Sequence, residues 1–371
     1  MTNRPRVLLL IPHLGGGGAE QVFETLARRL SPEKYELHLG LVTKANAEME
    51  PLPGWVAVHY LKAGRVRRGA LRLLLLIWRL RPDLILSGMA HLNFLVLALR
   101  PFFPRRTRIL VRQNGSVSSP LASIEFPLHT QFCYRFLYRR AHRIICQSVA
   151  MADEICSGFQ IPPRKIIVLY NPIDIDAIRV ISANANLSWS GSGPHLLAVG
   201  RLANEKGFDL LLEAFAVVRR QFPNATLAIA GIGPSDAALK SLRDFLRLRE
   251  SVRFLGQIAS PAEYFKGASL FVLSSRHEGM PNALLEAAAA GLPLVALPAS
   301  GGLVDLLRGQ PGVWIAPKIS AESLASELLG ALSAMKNGKR FDHPWIEPFR
   351  VDRSIAAYEN LIDSTLRERC G

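Results

Sequence analysis

Short apolar segments alternate with helix-forming segments along most of the chain, and this pattern restricts the possible folds more than any other feature. In the first half, the strand-like runs are RVLLLI, ELHLGLVT, DLILS, TRILV, RIICQS and KIIVLYN. Helices are expected between them at 19–30, 91–100 and 149–157. Short apolar runs that are separated by helices predict a parallel sheet covered by helices on both faces. We therefore expect an α/β fold.

The same alternation restarts near residue 194, after a weakly patterned stretch that begins at residue 175. The strands HLLAVGR, ATLAIAG, VRFLG, LFVLSS and LPLVAL alternate with helices expected at 207–221, 235–249, 261–267, 282–290 and 321–335. A chain of 371 residues is long enough for two domains of ordinary size. We expect two doubly wound, Rossmann-like domains that face each other across a cleft. They comprise residues 1–172, to which a C-terminal helix within 346–371 returns, and residues 173–345.

Neither a membrane span nor a metal site is expected from the apolar runs and the cysteines. The apolar run Val7 to Ile11 is short and is followed at once by Pro12 and glycines, unlike a signal peptide or a spanning helix. The four cysteines show no CxxC or other metal-ligand spacing, so neither a zinc site nor a disulfide framework is predicted. We therefore expect a cytoplasmic protein with reduced thiols.

Positive charge is concentrated in the first half of the chain. Residues 1–180 contain 25 Lys and Arg against 12 Asp and Glu, within a formal net charge of +15 for the whole protein. Such a charge distribution attracts phosphate groups. No RNP, helix-turn-helix, zinc-finger or basic–aromatic pattern accompanies it, so nucleic acid is not the expected partner.

The segment 65–80, RVRRGALRLLLLIWRL, predicts a basic amphipathic helix. Arg65, Arg68, Arg72 and Arg79 fall within an arc of about 60° at the helical repeat of 100° per residue. A helix of this kind can lie in the headgroup region of an anionic membrane leaflet. The alternative is a helix that packs on the core while its arginines are solvated.

The turns that follow the predicted strands contain the residues of interest, as expected for ligand sites of open α/β sheets. PHLGGGGAEQ follows the first strand and opens a helix, so its backbone can approach an anion closely. Glu20 occupies the place of the third glycine of a GxGxxG site, and the Gly-Lys-Ser/Thr of a P-loop is missing. The loop is therefore either a phosphate-binding loop or a flexible turn.

Two stretches of the second half supply charged residues of both signs. VGRLANEKGFD delivers Arg201 and Lys206 after a strand, and such a pair can clamp a diphosphate. SSRHEGMPNALLEAAAAGLPLVA places Glu278 in a turn and Glu286 in the second turn of the following helix. Both carboxylates can then line one site.

In order and spacing, these motifs resemble the signature of the retaining GT-B glycosyltransferases called glycosyltransferase family 4. The series comprises GRLANEKG, AGIGP, FLG, HEGMPNALLEAAAAGLPLVA and SGGLVD, with GGGGAE in the first domain and YNPID at the domain junction. The resemblance extends over nearly the whole chain. It implies a GT-B fold and a retaining hexosyltransferase that uses a nucleotide-sugar donor and needs neither a metal nor another cofactor.

The resemblance also implies roles for individual residues. Arg201 and Lys206 would hold the donor diphosphate, Glu286 would accept hydrogen bonds from the ribose, and Glu278 would position the transferred sugar or stabilise its charge. The other residues implied in donor binding are Gly16, Gly17, Gly18, Asn171, Gly231, Gly256, Gln257, Ile258, Gly279, Met280, Pro281 and Asn282.

The sequence departs from the family pattern at two places. Many members have a histidine after the strand that corresponds to TRILV, but this chain reads RQNGS. Arg112 and Asn114 are the expected catalytic replacements, and His91 and His13 are further alternatives. The closing GGxxE motif appears as GGLVD, which shortens the carboxylate side chain to Asp305.

The acceptor is inferred from the first domain, where SGMAHLNFLVLALR resembles bacterial O-antigen, capsule and glycan-assembly transferases. We expect transfer of a hexose or N-acetylhexosamine, from UDP in preference to GDP, to a lipid-linked saccharide at the inner membrane face, in cell-surface polysaccharide biosynthesis. One alternative is a soluble GT-B enzyme with a small-molecule acceptor. The other is a non-catalytic basic protein that binds membranes or nucleic acid, against which the four charged residues of the second domain argue.

Overall fold

The computed structural model describes residues 4–15, 17–43, 51–62, 69–115, 128–186, 189, 191–335 and 339–368. The chain divides into two compact units, Met1–Pro172 with Asp352–Gly371, and Ile173–Val351. Each unit is built on its own parallel sheet, of seven strands in the first and six in the second. The predicted α/β class with two doubly wound sheets is confirmed.

In the first unit the strand order is β3-β2-β1-β4-β5-β6-β7. The strands are β1 Arg6–Ile11, β2 Glu36–Leu41, β3 Val56–Tyr60, β4 Leu84–Gly88, β5 Arg108–Arg112, β6 Arg143–Cys146 and β7 Ile166–Val168. The helices are α1 Gly18–Arg29, α2 Ala70–Leu80, α3 Ala90–Leu99, α4 Leu128–Phe132, α5 Val149–Phe159 and, from the chain end, α13 Val351–Arg367. The order reverses between β1 and β4, and ligands of such sheets bind where this happens.

In the second unit the strand order is β10-β9-β8-β11-β12-β13. The strands are β8 His195–Val199, β9 Thr226–Ala230, β10 Val252–Gly256, β11 Leu270–Leu273, β12 Leu294–Ala296 and β13 Val313–Ile315. The helices are α6 Ile175–Asn184, α7 Phe208–Gln221, α8 Asp236–Phe245, α9 Ala262–Phe265, α10 Asn282–Ala289, α11 Gly301–Leu307 and α12 Ala321–Ala334. Here the order reverses between β8 and β11.

The core of each unit lies between its sheet and the helices that cover it. All of β1 from Val7 to Ile11 is at most 1% exposed, as expected for a central parallel strand covered on both faces. In the second unit α7 and α12 pack together over the sheet, with Phe215 and Leu328 fully buried between the layers.

Several elements differ from those predicted. The stretch from residue 175, predicted to be weakly patterned, begins with α6, because the Asp174 carboxylate accepts a hydrogen bond from the Ala177 amide at 3.1 Å and caps the helix. Strands β3 and β13 were not predicted. The last helix begins at Val351 rather than at residue 346, since residues 344–349 form a 3₁₀ helix.

The basic helix predicted at 65–80 corresponds to α2. Arg65 and Arg68 lie outside the described residues. Arg72 and Arg79 are both exposed. The Arg72 guanidinium also donates hydrogen bonds to the carbonyl oxygens of the two residues that follow β3, so it connects α2 to the end of that strand.

The solvent-facing side of α2 carries exposed apolar residues beside these arginines. Leu73 and Ile77 are fully buried against the core, whereas Leu71, Leu75 and Trp78 are 68%, 62% and 52% exposed. We call Leu71, Leu75 and Trp78 the α2 stripe. Exposed apolar groups along one helix face indicate a surface that contacts another phase or molecule.

Candidate functional site

Two loops meet at the reversal point between β8 and β11, and they are hydrogen bonded to each other. The Ser274 hydroxyl donates to the Lys206 carbonyl at 2.9 Å, and the Arg276 amide donates to the Glu205 carbonyl at 2.8 Å. The Arg276 guanidinium forms two hydrogen bonds to the Asp209 carboxylate, at 2.7 and 2.6 Å, which raise the pKa of Arg276. The loop after β11 is thus fixed against the loop after β8.

This connection brings two of the predicted residues into contact. Lys206 Nζ lies 2.6 Å from Glu278 Oε1, and the Ser275 hydroxyl donates to the same oxygen at 2.6 Å. The side chains of Glu278 and Lys206 are 9% and 24% exposed. An ammonium group and a carboxylate are therefore held together, only partly accessible to solvent, at the carboxyl edge of the sheet.

Arg201 lies on the same loop as Lys206. Its guanidinium pairs with the Glu205 carboxylate, and its side chain is 66% exposed. An exposed ion pair of this kind contributes little to stability, so it can be exchanged for a ligand at low cost. Both predicted cations consequently stand at the end of β8, each with a carboxylate partner.

Glycine at the end of β9 allows the neighbouring loop to approach closely. A Cβ atom at Gly231 would lie 1.9 Å from the Gly200 carbonyl oxygen, and one at Gly233 would lie 2.3 Å from that of Leu202. Any side chain here would displace the segment that leads to Lys206. The Gly231 amide also donates to the Gly256 carbonyl at 2.7 Å, which places the predicted segment Gly256–Ile258 beside this turn.

Helix α10 carries the second glutamate of the predicted pair. Gly279, Met280 and Pro281 are buried immediately before the helix begins at Asn282. Glu286 follows in the second turn, where burial raises its pKa to about 7. Among the residues that the structure describes, none donates a hydrogen bond to this carboxylate. The group is thus available as an acceptor.

We expect nucleotide affinity to depend on pH through Glu286. Ribose hydroxyls would donate to the carboxylate form, whereas the free protein keeps the proton up to a pH of about 7. Affinity for UDP should therefore rise as pH increases through 7 and level off above it, by up to about tenfold per pH unit below the pKa. Calorimetric titrations of wild type and Glu286→Gln from pH 6 to 8.5 test this. In Glu286→Gln the remaining pH dependence of UDP affinity comes only from the ionisation of UDP itself. If the wild type shows the same pH dependence, Glu286 does not bind the ribose.

In the first unit the glycine-rich loop leads into α1. Gly16 lies outside the described residues, Gly17 is the N-cap residue and Gly18 is the first helical residue. The Glu20 carboxylate is buried, and its Oε1 atom lies 3.6 Å from Nδ1 of half-exposed His13. A Cβ atom at Gly17 would lie 2.1 Å from Glu20 Oε2, so glycine is required there for Glu20 to fold back over the helix start.

The predicted histidine replacements take different positions. The Arg112 side chain is fully buried, and its guanidinium donates to the Tyr358 hydroxyl at 3.0 Å, to Asn171 Oδ1 at 2.6 Å and to Asn114 Oδ1. This burial favours a positioning role for Arg112 over the direct sugar contact that the sequence predicted. Asn114 keeps part of its surface accessible.

Some members of these networks were not predicted from the sequence. Arg276 lies within the quoted SSRHEG motif, but its partner Asp209 is 67 residues away. Tyr358 lies on α13, 246 residues from Arg112. The sequence Asp174-Ile175-Asp176 is a formal DxD motif, but both carboxylates are engaged within the fold, since Asp174 caps α6 and Asp176 pairs with Arg350.

Known structures also consist of two Rossmann-like units. The sucrose-phosphate synthase of Thermosynechococcus elongatus matches with a TM-score of 0.81 at 18% identity, over 97% of this chain and 99% of that chain. The Anabaena protein Alr3699/HepE in complex with UDP and glucose matches with a TM-score of 0.77 at 18% identity, over 98% and 99%. The fold is that of the GT-B glycosyltransferases.

The sequence comparisons identify the family. Residues 16–177 match the model of Glycosyltransferase Family 4, and residues 184–343 match that of Glycosyl transferases group 1. A relative from Campylobacter jejuni is 28% identical over 311 residues, which span 80% of this chain and 82% of the relative. It is an N-acetylgalactosamine-N,N'-diacetylbacillosaminyl-diphospho-undecaprenol 4-alpha-N-acetylgalactosaminyltransferase. Together the two matches identify a glycosyltransferase with family 4-like and group 1 domains, as the motifs predicted.

Proposed function

We propose that this glycosyltransferase transfers a hexose or N-acetylhexosamine from a nucleotide sugar, UDP in preference to GDP, to a lipid-linked saccharide, with retention of configuration. The contact between Lys206 and Glu278 at the reversal point of the second sheet carries this proposal. The relative from Campylobacter jejuni is named for transfer to a diphospho-undecaprenol saccharide, which supports a lipid-linked acceptor and a role in cell-surface polysaccharide biosynthesis.

The second unit provides the groups that a nucleotide sugar requires. Lys206 and Arg201 would bind the diphosphate and stabilise the charge that develops on it as the glycosidic bond breaks. Glu286 would accept hydrogen bonds from the ribose. Because the chain supplies two cations for the leaving group, we propose a reaction that needs no metal ion.

Glu278 would stabilise the positive charge of the sugar in the transition state. Its Oε1 atom already accepts hydrogen bonds from Lys206 and Ser275, an arrangement that fixes the carboxylate in place. When the diphosphate draws Lys206 toward itself, the carboxylate would be left facing the sugar. We propose reaction on the front face of the donor, in which the departing phosphate takes the proton of the acceptor hydroxyl.

A panel of nucleotide sugars tests the proposal. We expect UDP-sugars to stabilise the protein thermally more than GDP-sugars, one of them to be hydrolysed slowly without acceptor, and EDTA to leave turnover unchanged. Transfer to a polyprenyl diphosphate saccharide should give a product with the anomeric configuration of the donor, seen by NMR. Transfer only to soluble sugars would favour the small-molecule alternative. No binding and no hydrolysis across the panel would indicate a non-catalytic protein.

We further propose that the α2 stripe places the enzyme at an anionic membrane surface on the inner face. Trp78 Nε1 donates to the Phe102 carbonyl at 2.9 Å, so Phe102 lies next to the stripe. The Phe102 side chain is 62% exposed. Exposed Arg79, Arg81 and Arg106 lie together at the end of α2, where the Arg106 guanidinium donates to the Arg81 carbonyl at 3.2 Å, and they can attract anionic headgroups. Among the described residues, no helix is long and apolar enough to cross a membrane.

Leu75→Glu is expected to weaken vesicle binding at least about tenfold, because a charge on the stripe opposes insertion between headgroups. The measurement is co-sedimentation with vesicles of phosphatidylglycerol and phosphatidylethanolamine at low salt. Phe245→Glu is the matched control, since Phe245 is 82% exposed on α8 of the other unit. A wild type that stays in the supernatant, or an equal loss in both variants, would overturn the membrane proposal.

A further inference from the structure

Arg112 determines the orientation of the Asn114 side chain. A guanidinium carries donors only, so the amide group that faces it must present its oxygen. Asn114 Oδ1 accepts from Arg112, and the amide nitrogen therefore faces away. This nitrogen is buried and has no hydrogen-bond partner among the residues that the structure describes. A fully buried cation thus fixes an unpaired amide donor two residues beyond the end of β5.

Gln147 supplies an unpaired acceptor beside this donor. It follows directly after β6, the strand next to β5, and is 3% exposed. Its Nε2 atom lies 3.5 Å from Asn114 Oδ1, and its Oε1 atom is buried without a partner in the described part of the chain. The two amide groups adjoin each other, so one free donor and one free acceptor occupy neighbouring positions.

The side-chain amide of the adjacent Gln113, at the same edge of the sheet, has hydrogen-bond partners within the protein for both its nitrogen and its oxygen. Its Nε2 atom donates to the Gly115 carbonyl at 2.9 Å and to the Tyr134 hydroxyl at 3.0 Å, and its Oε1 atom accepts from the Tyr138 hydroxyl at 2.8 Å. Buried amide atoms without partners are uncommon and call for an explanation. In Asn114 and Gln147 the unpaired atoms belong to two amide groups that contact each other.

We propose that Asn114 Nδ2 and Gln147 Oε1 form a subsite for one hydroxyl group of a sugar ring. A hydroxyl accepts and donates through a single oxygen, so it satisfies both atoms at once. The diphosphate of a nucleotide sugar has only acceptors at neutral pH and would set its oxygens against Gln147 Oε1. The identification of the ligand as a saccharide rests on the proposed function, and the ring belongs either to the donor sugar or to the acceptor.

Gln147→Met tests the subsite and separates the two sources of the ring. If the donor sugar binds there, the variant should lose about tenfold in affinity for the UDP-sugar that wild type hydrolyses and keep its affinity for UDP. If the acceptor binds there, hydrolysis without acceptor should be unchanged, and KM for a polyprenyl diphosphate saccharide should rise about tenfold. Thr365→Val is the matched control, because it removes a buried, unpaired hydroxyl on α13 and should change neither value.

Asn114→Asp provides a second test in which stability and binding change in opposite directions. The new carboxylate would pair with Arg112, so the melting temperature should stay the same or rise, while the amide donor is lost. Affinity for the UDP-sugar or the acceptor should fall about tenfold. Two folded variants with wild-type values for both ligands would mean that the amides hold only water, and the subsite would be rejected. The proposed function fails separately, if the wild type itself binds and hydrolyses no nucleotide sugar.

Discussion

Lys206→Met is expected to lower sugar transfer by about a hundredfold to a thousandfold, the loss typical of removing one preorganised donor from a site where charge develops. The ammonium group stands at the end of β8, 2.6 Å from Glu278 Oε1. A departing diphosphate carries far more charge than one carboxylate, so it should displace Glu278 from Lys206. Methionine keeps the length of the side chain and removes the charge. Turnover of a UDP-sugar, with and without acceptor, is the measurement.

Lys240→Met is the matched control for this substitution. Lys240 also forms an ion pair at 2.7 Å, with Asp236, but it lies exposed on α8. An exposed pair contributes little, and its loss should leave both melting temperature and turnover at wild-type values. Lys206→Met enzyme that folds and retains more than a tenth of wild-type turnover would show that the diphosphate is held elsewhere.

The sequence predicts where the site lies because the geometry of a parallel sheet places the loops after its strands at one edge. Apolar runs of four to six residues fix the strands, and the loops after them must emerge at one edge. Arg201, Lys206 and Glu278 all follow predicted strands, and the structure places them at the carboxyl ends of β8 and β11. The contact between Lys206 and Glu278 spans 72 residues and depends on the order of the strands in the sheet. The spacing of residues along the chain does not specify the order of the strands in the sheet.

The sequence does not decide which residues are buried where several apolar residues compete. In α2 nearly every position is apolar, so helical periodicity locates the arginines but does not show which leucines face the core. The structure buries Leu73 and Ile77 and exposes Leu71 and Leu75. The exposed Arg72 side chain also donates to carbonyl groups beyond the helix, a contact that periodicity does not predict. Polar contacts between residues far apart in the chain are equally difficult to predict from the sequence, as the contact between Arg112 and Tyr358 illustrates.

Glu278→Ala should leave a folded protein with transfer reduced by about a hundredfold or more. The carboxylate is mostly buried, and its removal would leave Lys206 and Ser275 without their shared acceptor. The freed Lys206 should hold the diphosphate at least as tightly as before, so affinity for UDP should be kept or raised while turnover falls. This split between binding and turnover separates a catalytic role from a merely structural one. Parallel calorimetry with UDP and kinetics with the UDP-sugar measure it.

Asp236→Ala controls for the loss of a paired carboxylate, since Asp236 is the exposed partner of Lys240. It should behave as wild type. The double variant of Lys206 and Glu278 should show losses that multiply, because the ammonium acts on the diphosphate and the carboxylate on the sugar. A double variant only as impaired as the worse single variant would mean that the two side chains act as one unit in the transition state and that their contact persists during turnover.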